Sequence, residues 1–474
     1  MTSPSHAPFH TTRAPRHMVA SADGLATQAG MHMLARGGNA VDAAIATNAA
    51  IAVTGPHLCG MGGDLFALVH HQGRVECLNA SGRSGSAADA AAVRADGHRV
   101  MPFRHDIRTV TVPGCVDGWV ALHQRFGSLP LSTLLAPAIR LASEGFPASP
   151  LLVGSLARLD AQARGTLHEL AGQAHRPNDR VRRPGVANAL RAIADGGREA
   201  FYTGDFGRGL LQLGNGWYTE ADLARSQAEW VAPLQAQAWG VDLFTVPPNS
   251  QGYLTLGAAA LASNLELPAD TTDEWWAHLL IEAAKVAGYD RPAALHAGAD
   301  GEALLRAIAG RAHLLDHDRA AGWPMAASAG DTTYLCTADE QGMGVSLIQS
   351  NASGFGSWLV EPTTQINLHN RGLGFSLQEG HSAELAPATR PPHTLSPALA
   401  TRDGQLAAVF GTMGGDAQPQ ILLQLAARLF HQHQSPAVAM HAGRWALTGP
   451  VTGFDTWTAP AGPIVEIEGN APGH

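Results

Sequence analysis

The stretch Gly330-Asp331-Thr332-Thr333-Tyr334-Leu335-Cys336-Thr337-Ala338 divides the chain into two parts of different character. Before it, Ala320 to Gly330 is mostly small residues (Ala-Ala-Gly-Trp-Pro-Met-Ala-Ala-Ser-Ala-Gly), which offer a core little apolar surface and read as an exposed, pliable loop. After it, Thr332 to Ala338 and Met343 to Gln349 are rich in Thr, Tyr, Val, Leu and Ile. They flank Asp339-Glu340-Gln341-Gly342, so Thr332 stands at the mouth of a β-hairpin. A hydroxyl at such a loop-to-strand junction can attack the carbonyl before it when the peptide bond is held strained. Hydrolysis of the resulting ester frees a threonine whose α-amine, with an ordinary pKa of about 7.7–8.0, can act as base for its own hydroxyl. On local pattern alone, a Thr-Thr pair opening a strand is also plain β propensity.

Outward from this point, strands and helices segregate into blocks, which favours an α+β layered fold over strict alternation. Gly24 to Ala35 shows helical spacing and ends at Gly37-Gly38, and Asn39 is placed to cap a second helix through Ala52. The turn Cys59-Gly60-Met61-Gly62-Gly63 leads into a predicted hairpin, Leu65 to His70 and Val75 to Asn79, around Gln72-Gly73. From Gly118 to about Gly310 the pattern is mostly helical, broken by turns such as Pro247-Pro248-Asn249-Ser250-Gln251-Gly252. A further strand is predicted at Gln365 to His369. Leu406 to Phe410 then reads as a strand, Gly411-Thr412-Met413-Gly414-Gly415-Asp416 as a tight turn, and Pro419 to Phe430 as a helix with proline in its first turn.

Composition narrows the function. The 474 residues, 45% hydrophobic and 15% charged, suffice for a sizeable core, and a net charge of -9 without clustered Lys and Arg argues against nucleic acid and for a small-molecule partner. The polar segment Met1 to His17 does not read as a secretory signal, and no apolar run is long enough for a membrane span. Cys59, Cys77, Cys115 and Cys336 are scattered and read as reduced core residues, so the expected compartment is the cytoplasm. No metal site is expected from the 23 histidines: there is no H-E-x-x-H, and His70-His71 and His431-Gln432-His433 lack helical spacing.

Gly60 to Gly63 follows a helix and precedes a strand, the reverse of a dinucleotide-binding order. Gly411 to Asp416 has the strand-loop-helix order but no Gly-Lys-Ser/Thr, so its bare N–H groups suit either an oxyanion or a tight turn that needs glycine. Ala326-Ala327-Ser328-Ala329-Gly330 lacks the first glycine and the preceding strand of a serine-hydrolase elbow.

Between about Met18 and Trp445 several ordered motifs resemble the gamma-glutamyltranspeptidase family of N-terminal-nucleophile hydrolases, and within it the bacterial amidohydrolase and cephalosporin-acylase-like branch. They are Ala35-Arg36-Gly37-Gly38-Asn39-Ala40-Val41-Asp42-Ala43-Ala44, Pro56-His57-Leu58-Cys59-Gly60-Met61-Gly62-Gly63-Asp64, the Pro-Pro-Asn-Ser-Gln-Gly turn, Tyr289-Asp290-Arg291, Thr332 to Asp339, Arg390 to Pro397, and Gly414-Gly415. The resemblance implies an αββα sandwich, cleavage between Asp331 and Thr332 into a large (1–331) and a small (332–474) subunit, and Thr332 as nucleophile. It makes Gly414 and Gly415 the oxyanion-hole donors and places Arg83 where the family binds the acyl carboxylate, a task a planar guanidinium suits.

The resemblance also marks departures. The family's paired serine falls on His393-Thr394, its ammonium-binding aspartate on Gly374, a nearby glutamine on Arg371, and its substrate asparagine on Ala352 beside Asn351. These changes imply a rebuilt pocket for an acidic acyl group, with Arg83, Asn351, Arg371, His393 and Thr394 as its expected contacts and no cofactor. The family usually continues beyond the equivalent of Gly469-Asn470, whereas this sequence stops at His474, so a thinner sandwich with an exposed strand edge is expected. A self-processing amidohydrolase is the leading expectation. A gamma-glutamyltransferase or glutathione hydrolase, and a non-catalytic truncated homologue of the same fold, are the alternatives; hydrolysis versus transfer, and any higher oligomer, are left open.

Overall fold

The computed structural model describes residues 10–319, 332–448 and 464–469. In chain order its strands are β1 (Met18–Ser21), β2 (Asp64–His71), β3 (Arg74–Ala80), β4 (Phe146–Pro147), β5 (Arg180–Val181), β6 (Glu229–Val231), β7 (Leu234–Ala238) and β8 (Val241–Thr245). They continue with β9 (Thr333–Ala338), β10 (Gly344–Ser350), β11 (Ala398–Arg402), β12 (Gln405–Phe410), β13 (Trp445–Thr448) and β14 (Ile464–Ile467). Six form one antiparallel sheet in the order β1-β9-β10-β2-β3-β6, and four form a second, β12-β11-β8-β7.

The alternation of side chains along a strand makes these sheets the middle layers of a sandwich. In β2, Phe66 and Leu68 point to one face, where they meet Cys77, Ile348, Phe244, Val246, Leu395 and Leu399 from both sheets. Leu65, Ala67 and Val69 point the other way, into a cluster with Val41, Ile45, Trp119, Leu135 and Leu190 from helices on the outer face. The second sheet buries Leu243 and Ala400 in the same manner against Leu256, Leu280 and Leu423. Helix, sheet, sheet and helix layers thus follow one another in an α+β sandwich, the αββα order that the resemblance implies.

Local chemistry sets the element boundaries. The first helix spans Gly24–Ala35, capped by Asp23, and the second Ala40–Thr54, where Asn39 and Asp42 form a reciprocal capping box. The second helix is buried along its whole length, which its run of alanine and β-branched residues permits. Asp339, in the β9–β10 turn, accepts from Ala40 N at 2.9 Å and from Gln341 N and Met343 N at 3.0 Å, tying that turn to the start of the same helix.

Two expectations need correction. Gln365 to His369 is not a strand; only an isolated bridge joins Val360 and Asn367, and the backbone groups here bond to the backbone of scattered loop residues, Glu361, Leu359, Ser357 and Gly62, rather than to one partner strand. The interval expected to be mostly helical contains β6, β7 and β8, and β7 and β8 are half of the second sheet. The four cysteines are free, three buried and Cys336 half-buried. Among the described residues no helix is long and apolar enough to cross a membrane. Asp331 and Ala320 to Gly330 lie outside the described residues, as does most of the stretch after Thr448.

Candidate active site

Thr332 immediately precedes β9 and is 1% exposed. Because Thr333 pairs with Gln349, the next residue of β10, Ser350, lies beside Thr332, and Thr332 Oγ1 donates to Ser350 Oγ at 3.3 Å. Ser350 Oγ is itself held by the Ala352 N–H at 2.8 Å. The Thr332 hydroxyl is therefore fixed at the start of an interior strand by a hydroxyl whose own position is set by backbone. Its long contact leaves room to tighten or exchange partners.

Gly414 and Gly415 follow β12 and start a short 3-10 turn. Their φ values are 124° and 57°, which glycine adopts without penalty. The loop begins at Gly411, whose Cα lies so close to the Tyr334 ring that an added Cβ would collide with it. Tyr334 belongs to the strand that Thr332 opens, so the glycine turn and the threonine share one end of the sandwich. Gln251 Nε2 donates both to Gly415 O at 3.1 Å and to Thr394 O at 3.0 Å, and Asp416 is ion-paired with Arg291 at 2.8 Å, both buried. The peptide after Gly415 is thereby fixed.

Asp64 opens β2 opposite Ser350 of β10 and is fully buried. Its carboxylate accepts from Gly82 N at 2.9 Å and faces His393 Nε2 at 3.1 Å and His369 Nδ1 at 3.7 Å. Burial opposes its ionisation, but the charges of His369 and Arg371 and the His393 hydrogen bond prevail and hold its pKa at about 2. His393 Nδ1 accepts from Leu395 N at 3.2 Å, so Nε2 carries the proton given to Asp64. Burial, reinforced by Arg371, pushes the pKa of this imidazole down to about 3 and keeps it neutral.

Arg371 is 1% exposed, donates from Nη1 to Thr394 Oγ1 at 2.9 Å, and lies in the fields of Asp64 and Asp416. Burial lowers its pKa to about 10, still far above neutrality. Asn351 is fully buried; its Nδ2 donates to Pro56 O at 3.1 Å, and its Oδ1 has no partner. Arg83, at the end of β3, donates from Nη2 to Glu229 Oε1 at 2.6 Å and from Nη1 to Gln227 Oε1 at 3.2 Å.

The residues singled out from sequence thus gather in one region but are not equally open. His393, Thr394 and Arg371 are interior groups that hold one another and Asp64; none is an open substrate contact, and the charge of Arg371 is offset by carboxylates. Gly374 cannot simply take the aspartate of the transpeptidases, since a Cβ there would collide with the Pro392 carbonyl. Sequence reading gave no role to Asp64, Ser350, Gln251, Arg291, Asp416 or Glu229. Asp64, Gln251, Arg291 and Asp416 sit in or beside the quoted motifs, which was their signal; Glu229 had none.

A model of the family described as gamma-glutamyltranspeptidase matches residues 26–456. The glutathione hydrolase-like YwrD proenzyme of Bacillus subtilis is 34% identical over 453 residues, covering 91% of this chain and 85% of the relative. The oxamate amidohydrolase proenzyme of Klebsiella pneumoniae is 34% identical over 464 residues, covering 93% and 87%. A cephalosporin acylase from Bacillus halodurans has a crystal structure that superposes with a TM-score of 0.84 at 34% identity, covering 96% of this chain and 88% of that one. The fold is that of the N-terminal-nucleophile hydrolases. The chain belongs to the gamma-glutamyltranspeptidase family and is an enzyme of it.

Proposed function

We propose that the protein is a self-processing amidohydrolase that takes a small acidic acyl donor and uses Thr332 as its nucleophile. The observation that carries the reading is the placement of Thr332: a buried hydroxyl at the mouth of β9, bonded to Ser350, on the strand whose Tyr334 packs against Gly411 where the glycine turn begins. In processing, Thr332 Oγ1 attacks the Asp331 carbonyl carbon, the C–N bond breaks as the nitrogen takes the hydroxyl proton, and water hydrolyses the ester. The products are a large subunit ending at Asp331 and a small one beginning with the Thr332 α-amine.

In turnover that amine accepts the proton of its own hydroxyl as Oγ1 attacks the donor amide. The Gly414 and Gly415 N–H groups meet the charge that develops on the carbonyl oxygen, an interaction stronger in the transition state than in the ground state. The leaving amine takes the proton, and water or an acceptor amine releases the acyl group. Arg83 supports binding of a donor carboxylate. Asp64, His393, Thr394, Arg371 and Asn351 hold the floor beneath the donor. Relatives named for oxamate and for acylase activity support an acidic or amide-linked acyl group.

Glutathione hydrolysis is the second reading, favoured by the name of the Bacillus subtilis relative and by the exposed Glu229 carboxylate, which can grip an α-ammonium. The test compares kcat/KM for a glutaryl anilide with that for the gamma-glutamyl anilide, which differ only in the α-amino group. The glutaryl compound is expected to be preferred; preference for the gamma-glutamyl compound would transfer the assignment to the second reading.

A further inference from the structure

Glu229 is the half-exposed member of a cluster whose other members are buried. It opens β6, the edge strand beside β3, and its carboxylate bridges two guanidinium groups: Arg83 Nη2 on Oε1 at 2.6 Å and Arg390 Nη1 on Oε2 at 2.5 Å. The side chains of Arg83 and Arg390 are 8% and 9% exposed, that of Glu229 46%. Arg390 is fastened from behind, by Ser81 O at 2.9 Å and Gln227 O at 2.7 Å, and Arg83 by Gln227 Oε1. The arginines are therefore fixed, while the carboxylate between them lies toward solvent on a flexible stem. Arg225 adds its positive field to Arg83 and Arg390, and the charge of the buried Asp64 opposes it at Arg390.

We propose that Glu229 is a specificity-determining residue that acts as an internal competitor: its carboxylate occupies the fork that a donor carboxylate takes on Arg83, and an acidic donor binds by displacing it. This inference rests on the reading of Arg83 as the ligand of the acyl carboxylate. Exchange of one carboxylate for another keeps Arg83 ion-paired throughout, and Arg390 keeps its hydrogen bonds to Ser81 O and Gln227 O when Glu229 leaves. The displaced Glu229 rotates into water, where its charge is solvated. An uncharged donor has nothing with which to displace Glu229, and a cationic group nearby meets two fixed arginines, so the exchange selects for negative charge.

Glu229→Gln removes the competitor while keeping shape and some hydrogen bonding. KM for a glutaryl anilide should fall, so that kcat/KM for glutaryl over an uncharged pentanoyl anilide rises about tenfold, a modest effect suited to a half-exposed ion pair. Glu229→Asp keeps the charge but shortens the reach, should give an intermediate ratio, and serves if the glutamine variant does not fold. A separate readout is the rise in melting temperature with glutarate alone, which should be larger in both variants than in the native protein.

An unchanged or lower ratio, with no larger glutarate shift, would overturn the proposal and leave Glu229 as a scaffold for Arg83. A KM increase confined to the gamma-glutamyl anilide would overturn it by assigning Glu229 to an α-ammonium group. If the native enzyme shows no preference for glutaryl over pentanoyl, the functional reading fails on its own. The glutarate shift then still decides whether Glu229 competes for Arg83.

Discussion

Gly414 has a φ of 124°, a conformation essentially closed to any residue with a Cβ, although the space around it is open, the nearest atoms to an added Cβ lying 3.7 Å away. Gly414→Ala should therefore fold but turn its N–H away from the developing oxyanion. Steady-state kinetics on the processed variant should show kcat reduced by about 10²–10³ with KM little changed, the usual result of losing one such donor; near-native kcat would remove this turn from catalysis. At this scale the family resemblance singled out the threonine opening a strand, the paired glycines and the arginine after β3, whereas local pattern alone left them as β propensity, a tight turn and a surface charge. Neither gave a sign that Arg371, His393 and Thr394 are buried, because a sequence position says nothing of burial. Those side chains face inward: His393 meets Asp64, Arg371 donates to Thr394, and the charges of Asp64 and Asp416 act on Arg371. Glu229 was illegible for a related reason: a lone glutamate starting a short strand looks like any solvated charge until two arginines from distant segments close on it.

Elements with strong local signals were legible in sequence. The helix Gly24–Ala35 ends where its glycines begin, Asn39 caps the next helix, and Gln72-Gly73 and Asp339 to Gly342 turn the hairpins with φ of 50° and 74° at the first pair. The strands β7 and β8 were missed because Leu-Gln-Ala-Gln-Ala and Val-Asp-Leu-Phe-Thr are short and alternating, lie in a helical neighbourhood, and are held as strands because β11 pairs with β8 from far along the chain while β7 pairs with the other side of β8. Tertiary pairing outweighs propensity there. The β9–β10 turn gives a test. Asp339 accepts hydrogen bonds from three backbone N–H groups, one of them at the head of the Ala40–Thr54 helix. Asp339→Ala should lower the unfolding free energy by about 1–3 kcal/mol, read from the urea midpoint, since the cap and the turn are lost together. An unchanged midpoint would mean that the hairpin does not depend on this side chain. Because the same hairpin carries Thr332, the variant should also cleave itself more slowly.

The whole molecule is held by apolar layers on either side of and between two sheets, with a polar floor of ionised and neutral groups where the layers open at the active end. That floor makes stability depend on acid. Burial lowers the pKa of His57 to about 4 and, with Arg371, that of His393 to about 3, from an ordinary value of 6.5, while Asp64 is held at about 2, below its usual 3.8. Below pH 6.5 the unfolded chain takes up protons that the folded histidines refuse. Each such histidine therefore removes about 1.4 kcal/mol per pH unit until its folded pKa is reached. The Asp64 contribution is complete above the ordinary carboxylate range and is lost only as pH falls from about 4 towards 2. Urea midpoints should thus decline steadily from pH 7 to pH 4, and His57→Gln, whose imidazole nitrogens have no hydrogen-bond partners, should flatten the slope; an identical slope would exclude His57 from the titration. A layered α+β fold was readable from the block order of strands and helices and the hairpin that Thr332 opens from its flanking β-formers, the sandwich itself was implied by the family resemblance, and the polar floor depends on contacts between remote segments. The central claim is that this end of the sandwich makes its own nucleophile, and the intact mass of the purified, denatured chain tests it most directly. The account predicts fragments 1–331 and 332–474 without added protease, the smaller beginning at Thr332, and a single uncut chain for Thr332→Ala; a well-folded native protein that turns over an anilide donor while remaining one chain of 474 residues would contradict it.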